Sequence, residues 1–407
     1  MQVKQKLQTS KDELINLFNN QQYEHAELKC LNLVKAYPLD IDYLNILGAI
    51  YSTMGSLEKA INYYQKALKI NPFNEALLTN IAEAFNKLAR FDEAKNSCLK
   101  ALQINGKSEN AYTNLGLSYL GEGLLDKAIS CFNKSIILNP QNKNAYLNLA
   151  GALVKKKSYI ESIPIFEKLI IFFPSDLSIL NNYAFSLIKS ECYNEALKIL
   201  DNSIKINPNF SETFSLVSDA YYNLGKLDIS ITYLQKAISF DSKNDELFNR
   251  LGKLYGEERD FKNALSAFEN SSSLNPENHL AKYNQSLIHL RLGNFYTGWA
   301  LYEQGIIKNT REIHPHYFNE KKELWDGNKF DGYLMIYNEQ GLGDQLLFCT
   351  LLSDLLKFHK KIIVRIDYRL INLLSRTYKS IKFISIEEYF NEEYYHKYTA
   401  MGSLPKI

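Results

Sequence analysis

At 407 residues the chain carries 47 basic against 45 acidic side chains, a net charge of +2, which leaves neither a basic excess for a phosphate backbone nor an acidic tail. Apolar residues make up 46% and charged residues 23%, as in a folded chain, while only 9 prolines and 18 glycines argue against disorder and against a turn-rich all-β fold. No apolar run approaches the roughly 18 residues of a membrane span. Met1 to Leu17 carries charges throughout, so no signal peptide is read and a cytoplasmic chain is expected. Cys30, Cys98, Cys131, Cys192 and Cys349 lie far apart without a C-x-x-C pair. They are expected to be small buried hydrophobes, with no disulfide framework and no zinc site.

From the N-terminus onward the sequence repeats every 34 residues. Small residues recur at Gly48, Ala82, Gly116, Ala150, Ala184, Ser218, Gly252 and Ser286. Twelve residues later come Ala60, Ala94, Ala128, Ser162, Ala196, Ser230 and Ala264. Large residues precede the small ones by four, among them Leu44, Leu78, Tyr112 and Tyr146, and apolar residues such as Tyr51, Phe85 and Tyr119 follow them by three. Pro38, Pro72, Pro140, Pro174, Pro208 and Pro276 close units, where a ring that cannot continue a helix fixes the link to the next.

This pattern resembles the tetratricopeptide repeat, a 34-residue helix–turn–helix. The expected fold is mostly α: a tetratricopeptide-repeat solenoid followed by a partial α/β Rossmann-like domain. Residues 1–40 read as an N-terminal cap with a degenerate first repeat, where Glu13 and Leu14 depart from the pattern. Residues 41–278 read as seven repeats, 279–312 as a partial ninth repeat and linker, and 313–407 as the α/β segment. The resemblance implies a superhelix whose first helices line a concave groove that binds a protein or peptide.

Position six of the unit falls on that face. It is asparagine in Asn80, Asn114, Asn148 and Asn182, and again in Asn284. An amide both donates and accepts, so a ladder of amides is suited to grip a peptide backbone without reading its sequence. The repeat domain of the protein O-GlcNAc transferases uses such a ladder. Asparagine is also the commonest residue at this position of ordinary repeats, and both readings stand. The ladder is interrupted at Leu216 and Arg250. Asp42, Asn45, Asn110, Asn144, Glu212, Asp219 and Glu246 share the face, which carries no basic stripe, so nucleic acid is not expected as a partner.

Beyond about Arg311 the rhythm stops. Tyr333 to Tyr337 reads as a buried strand, Glu339 to Asp344 as a loop and Gln345 to Phe358 as a helix. Lys361 to Ile366 follows as a strand, Tyr368 to Arg376 as a helix and Ile381 to Ile386 as a strand, the start of a parallel sheet. Gly341 and Gly343 stand between a strand end and a helix start, where open α/β sheets bind ligands. Leu346 replaces the third glycine of a dinucleotide fingerprint. Asp344 at the helix start disfavours a phosphate and suits a hydroxyl that a carboxylate can deprotonate. It equally suits a helix N-terminus on dipole grounds. Glu339 is expected to be solvated, and His314, His316 and His396 show no ligand spacing.

Trp325-Asp-Gly, then Tyr337-Asn-Glu-Gln-Gly-Leu-Gly-Asp-Gln-Leu346, with Gly298-Trp299 and Ser403-Leu-Pro405, resembles a bacterial family joining tetratricopeptide repeats to a glycosyltransferase-like domain. That domain is similar to the two-domain (GT-B) heptosyltransferases. The resemblance implies Asp344 as catalytic base, and Gly341, Leu342, Gly343 and Gln345 as a ligand-binding loop. No metal is implied. The cofactor expectation is none in this chain, with a nucleotide-sugar donor if a longer enzyme exists. Residues 313–407 number 95, against roughly 300 for two such domains. The chain is therefore expected to be truncated and not competent in sugar transfer by itself; the alternative is an active glycosyltransferase when a second domain is present.

Overall fold

The computed structural model describes residues 2–307, 322–339, 341–388, 390 and 392–406. Arg311, His314, His316, Gln340 and Ile407 lie outside the described residues. Two compact units, residues 1–208 and 209–407, make up the chain.

In the first unit the helices follow one another as antiparallel pairs: α1 (Gln2–Asn19) and α2 (Tyr23–Ala36), α3 (Ile41–Thr53) and α4 (Leu57–Ile70), α5 (Glu75–Lys87) and α6 (Phe91–Ile104). They continue as α7 (Glu109–Gly121) and α8 (Leu125–Leu138), α9 (Lys143–Lys155) and α10 (Tyr159–Phe172), α11 (Leu177–Lys189) and α12 (Tyr193–Ile206). Sequence fixes both ends of these helices. The last residue of a unit supplies the N-cap: Asp40, Asn74, Ser108, Asn142 and Asp176 each accept a hydrogen bond from a backbone N–H of the next helix. Each turn between paired helices passes through one left-handed residue, at Gln21, Gly55, Ala89, Gly123, Lys157 and Glu191. Glycine takes that conformation freely, yet four of these six are other residues.

Close approach of the paired helices follows from the small residues. Ala60, Ala94, Ala128, Ser162 and Ala196 are all 0% exposed. A Cβ on Gly48 would lie 2.4 Å from Tyr64 Cε1, and one on Gly116 would lie 2.5 Å from Phe132 Cε1. Cys30, Cys98 and Cys131 are buried, and burial pushes the thiols of Cys30 and Cys98 up to about 12.

The second unit opens with α13 (Ser211–Asn223), α14 (Leu227–Phe240), α15 (Asp245–Glu257), α16 (Phe261–Leu274), α17 (His279–Arg291), α18 (Phe295–Tyr302) and α19 (Gln304–Ile307). Ser230 and Ala264 are again 0% exposed, and Ser218 and Ser230 share a hydrogen bond of 2.9 Å between their hydroxyls. A small parallel sheet follows, with β1 (Glu323–Leu324), β2 (Leu334–Tyr337), α20 (Leu342–Cys349), α21 (Leu352–Phe358), β3 (Ile362–Ile366), α22 (Tyr368–Thr377), β4 (Lys382–Ser385) and β5 (Lys397–Ala400). The strand order is β1-β5-β2-β3-β4, with Met335 beside both Ile363 and Tyr398.

β2 and β3 are buried along their whole length, as strands covered on both faces must be. Leu334, Ile336, Ile362 and Val364 pack on one face with Phe348, Leu352 and Leu370. Met335, Tyr337 and Ile363 pack on the other with Tyr395 and Ala400. Trp299 of α18 reaches the first core, 6.4 Å from Phe348 between ring centroids, and joins the last helices to the sheet.

Three expectations change. The single helix over Gln345 to Phe358 is two, α20 and α21, and α20 starts at Leu342, so Leu342, Gly343 and Asp344 belong to a helix rather than a loop. β1 and β5 are additional strands. The segment after residue 396 is an inner strand followed by a 3₁₀ turn over Met401–Lys406, so β2 is not the sheet's edge.

Candidate functional site

The first unit holds a cleft of about 580 Å³ built by α5, α7 and α9. Asn80, Asn110, Asn114, Asn144 and Asn148 line it, together with Thr79, Thr113, Leu117 and Leu147. Its charged side chains, Glu83 and Lys87, pair with each other at 2.7 Å, so the lining is electrically neutral.

The amides there do two different jobs. Asn80 Nδ2 donates to Asn45 Oδ1 of the preceding repeat at 2.9 Å, and Asn114 Nδ2 donates to the Thr79 carbonyl at 3.1 Å. Asn86 donates to the Asn114 carbonyl, and Asn142 caps α9 while donating to Ser135. The nitrogens of Asn80, Asn86 and Asn114, and the oxygen of Asn142, hold repeats together. The side chains of Asn110, Asn144 and Asn148 make no hydrogen bond among the described residues, so they present whole amides to the cleft. Asn182 does not line it: its Nδ2 turns back to the Ser178 carbonyl at 2.9 Å. Of the four successive ladder positions, Asn80, Asn114 and Asn148 line the cleft and Asn182 does not.

In the second unit Asn284 donates to Asn249 Oδ1 at 3.0 Å. Arg250, where the asparagine series breaks, does the same work by donating to Ser215 Oγ at 2.5 Å and pairing with Asp219.

At the sheet, the chain runs β2 to β3 to β4 in one direction and then returns to place β5 on the other side of β2. That reversal puts a topological switch between β2 and β5, where open parallel sheets form their ligand crevice at the carboxyl ends of the strands. Asn338, Glu339 and the start of α20 follow β2 there, and Met401 to Ser403 follow β5. Gly341 is the N-cap of α20, and Asp344 sits half-buried in its first turn. Neither Gly341 nor Gly343 takes a left-handed conformation, and nothing lies within 4 Å of a Cβ placed on Gly343.

Gln345 is 3% exposed, and its Oε1 accepts the Asp367 backbone N–H at 3.0 Å. It ties the segments that follow β2 and β3 together. Glu339, expected in solvent, is 0% exposed. A short loop entering the sheet's carboxyl edge carries it inward, which its neighbours in sequence do not reveal. Asp367 caps α22 and receives a two-pronged bond from Arg369 at 2.8 and 2.9 Å, which holds its carboxyl down at about 2. His396 Nδ1 accepts from the Tyr333 backbone N–H at 3.1 Å, a structural role. Sequence reasoning missed His359, which is 5% exposed, shares a 3.0 Å hydrogen bond with the Gly332 carbonyl and stacks on Phe330.

Among the described residues no group of three His, Cys, Asp or Glu side chains gathers as metal ligands would, and no helix is long and apolar enough to cross a membrane.

Family profiles for the tetratricopeptide repeat match residues 41–74 and 109–142, 76–108 and 249–303, and a TPR repeat profile matches 219–258. No curated protein matches the chain. Among solved structures, YrrB, described as a TPR protein with an unusual peptide-binding site, is 19% identical over 44% of this chain and 91% of its own, with a TM-score of 0.41. Pseudomonas aeruginosa pilF is 20% identical over 51% and 94%, with a TM-score of 0.45. The C-terminal part of a TPR repeat-containing protein from Cytophaga hutchinsonii is 16% identical over 58% and 97%, with a TM-score of 0.49. The chain carries tetratricopeptide repeats over the matched residues.

Proposed function

We propose that the repeats bind an extended polypeptide segment in the asparagine-lined cleft of α5, α7 and α9, taken as the concave face of the array. The observation that carries this reading is the contrast within the cleft. Asn80 and Asn114 spend their nitrogens on neighbouring repeats, while Asn110, Asn144 and Asn148 keep donor and acceptor open. A backbone amide offers the complementary pair at each residue, and Leu117 and Leu147 supply apolar surface between. The neutral lining disfavours nucleic acid, whose binding needs clustered Lys and Arg. An array of 15-residue peptides probed with the chain and with an Asn110→Ala, Asn144→Ala, Asn148→Ala variant tests it. Retention of a peptide set by the parent chain, lost by about tenfold or more in the variant, supports the reading. Equal retention by both contradicts it.

The sheet supports a second reading: the chain is the front part of a repeat-guided, glycosyltransferase-like protein. In this reading Asp344 acts as general base toward an acceptor hydroxyl, which is supported by its half-buried position in the first turn of α20 beside the β2–β5 switch. A nucleotide-sugar would be the donor. The 407-residue chain is expected to transfer no sugar by itself. Turnover by the isolated chain that disappears in Asp344→Asn would overturn that expectation and establish the base.

A further inference from the structure

A second cleft lies at the carboxyl ends of β1 and β5 and does not include Asp344. It measures about 490 Å³, within the range of small-ligand sites. Its polar wall is drawn from three places: Glu303 at the end of α18, Asp326 and Asn328 after β1, and Ser403 and Lys406 after β5. Two carboxylates disfavour an anion, and the Lys406 ammonium beside them disfavours a cation. A hydroxyl group suits such a wall, because it donates to a carboxylate and accepts from an ammonium. The wall is also fixed in place. Asp326 accepts from the Asn328 backbone N–H at 3.0 Å and from Asn328 Nδ2 at 2.7 Å, and Trp325 Nε1 donates to the Asn328 carbonyl at 2.7 Å.

Trp325 and Gly327 also line a smaller cleft of about 190 Å³. There the other walls are almost wholly apolar: Leu351, Leu355, Phe358 and Leu404, with Asp354 at the side. Phe358 is 64% exposed and forms the outer edge of this apolar wall. Ser403 faces the polar cleft and its neighbour Leu404 faces the apolar one.

We propose that these adjoining clefts form one binding site for an amphipathic small molecule, with a hydroxyl-rich head against Glu303, Asp326 and Lys406 and an apolar tail against Leu355 and Phe358. The site goes beyond peptide binding by the repeats and does not depend on it.

The probe is n-octyl β-D-glucopyranoside, held below its critical micelle concentration so that no bilayer or micelle takes part. D-glucose and 1-octanol serve as the two half-ligands. Binding to the full chain is followed by saturation-transfer NMR and by tryptophan fluorescence in a Trp299→Phe background, where Trp325 is the remaining tryptophan. The glycoside is expected to bind saturably and about tenfold or more tighter than either half-ligand. Lys406→Ala and Phe358→Ser alter exposed side chains, and each is expected to weaken the glycoside severalfold with an unchanged circular dichroism spectrum. Octanol binding as tightly as the glycoside, glycoside binding that neither variant weakens, or no saturable binding would each overturn the proposal.

Discussion

Asn80 donates its Nδ2 to Asn45 Oδ1 at 2.9 Å across 35 residues of sequence, and the same 35-residue step recurs at Asn114, Arg250 and Asn284. A side chain at position six of one unit thus bonds position five of the unit before it. The guanidinium of Arg250 keeps the step where asparagine is absent, so the position is used for joining repeats before it is used for binding. Binding falls to the amides left over, Asn110, Asn144 and Asn148.

That division separates stability from binding. Asn114→Ala removes the second donor to the Thr79 carbonyl, which keeps its helical partner, at a cost of about 0.5–1.5 kcal/mol in the urea unfolding transition. Asn148→Ala breaks no hydrogen bond among the described residues and is expected to shift stability by about 0.5 kcal/mol or less. Similar losses in both variants would contradict the assignment.

Two glycines in neighbouring repeats should respond with opposite signs. At Gly116 a methyl group would meet the Phe132 ring at 2.5 Å, and the overpacking costs about 1–3 kcal/mol, more than the helix propensity gained. Gly151, exposed within α9, has nothing within 4 Å of a Cβ, so Gly151→Ala is expected to stabilise by about 0.5–1 kcal/mol. Denaturant midpoints of the two variants check the pair.

Asp367 provides a pH signature. The hydrogen bonds from Arg369 hold its carboxyl at about 2, below its value in the unfolded chain. A depressed carboxyl contributes stability at pH values above the unfolded pKa, and that contribution is lost as pH falls through about 2. Carboxyl-detected NMR should therefore find Asp367 ionised at pH 3. In Arg369→Ala its midpoint should rise toward the usual aspartate range. An ordinary midpoint in the parent chain would contradict the bidentate pair.

Much of this was legible in sequence because the period is strict. Each cap residue, from Asp40 to Asn278, stands at the last position of its unit, and each small residue marks where paired helices touch. The 35-residue bond between units could also have been read, since Asn45 with Asn80 and Asn249 with Asn284 stand one period plus one residue apart. The sheet was less legible. β1 is two residues long, and β5, Lys-Tyr-Thr-Ala, lacks an apolar run; β5 exists because β2 offers it a hydrogen-bonding partner, and β1 because β5 does. The burial of Glu339 and Gln345 likewise depends on depth at the sheet edge, which local sequence does not encode.

The central claim is that the cleft grips a polypeptide by its backbone. Its most direct test is the affinity of one array-selected peptide against the same peptide N-methylated at alternate residues and against a scrambled sequence. Backbone recognition predicts that scrambling changes affinity by about threefold or less, while N-methylation, which removes the donors facing Asn110, Asn144 and Asn148, weakens it by about tenfold or more. Loss on scrambling with indifference to N-methylation would contradict the account.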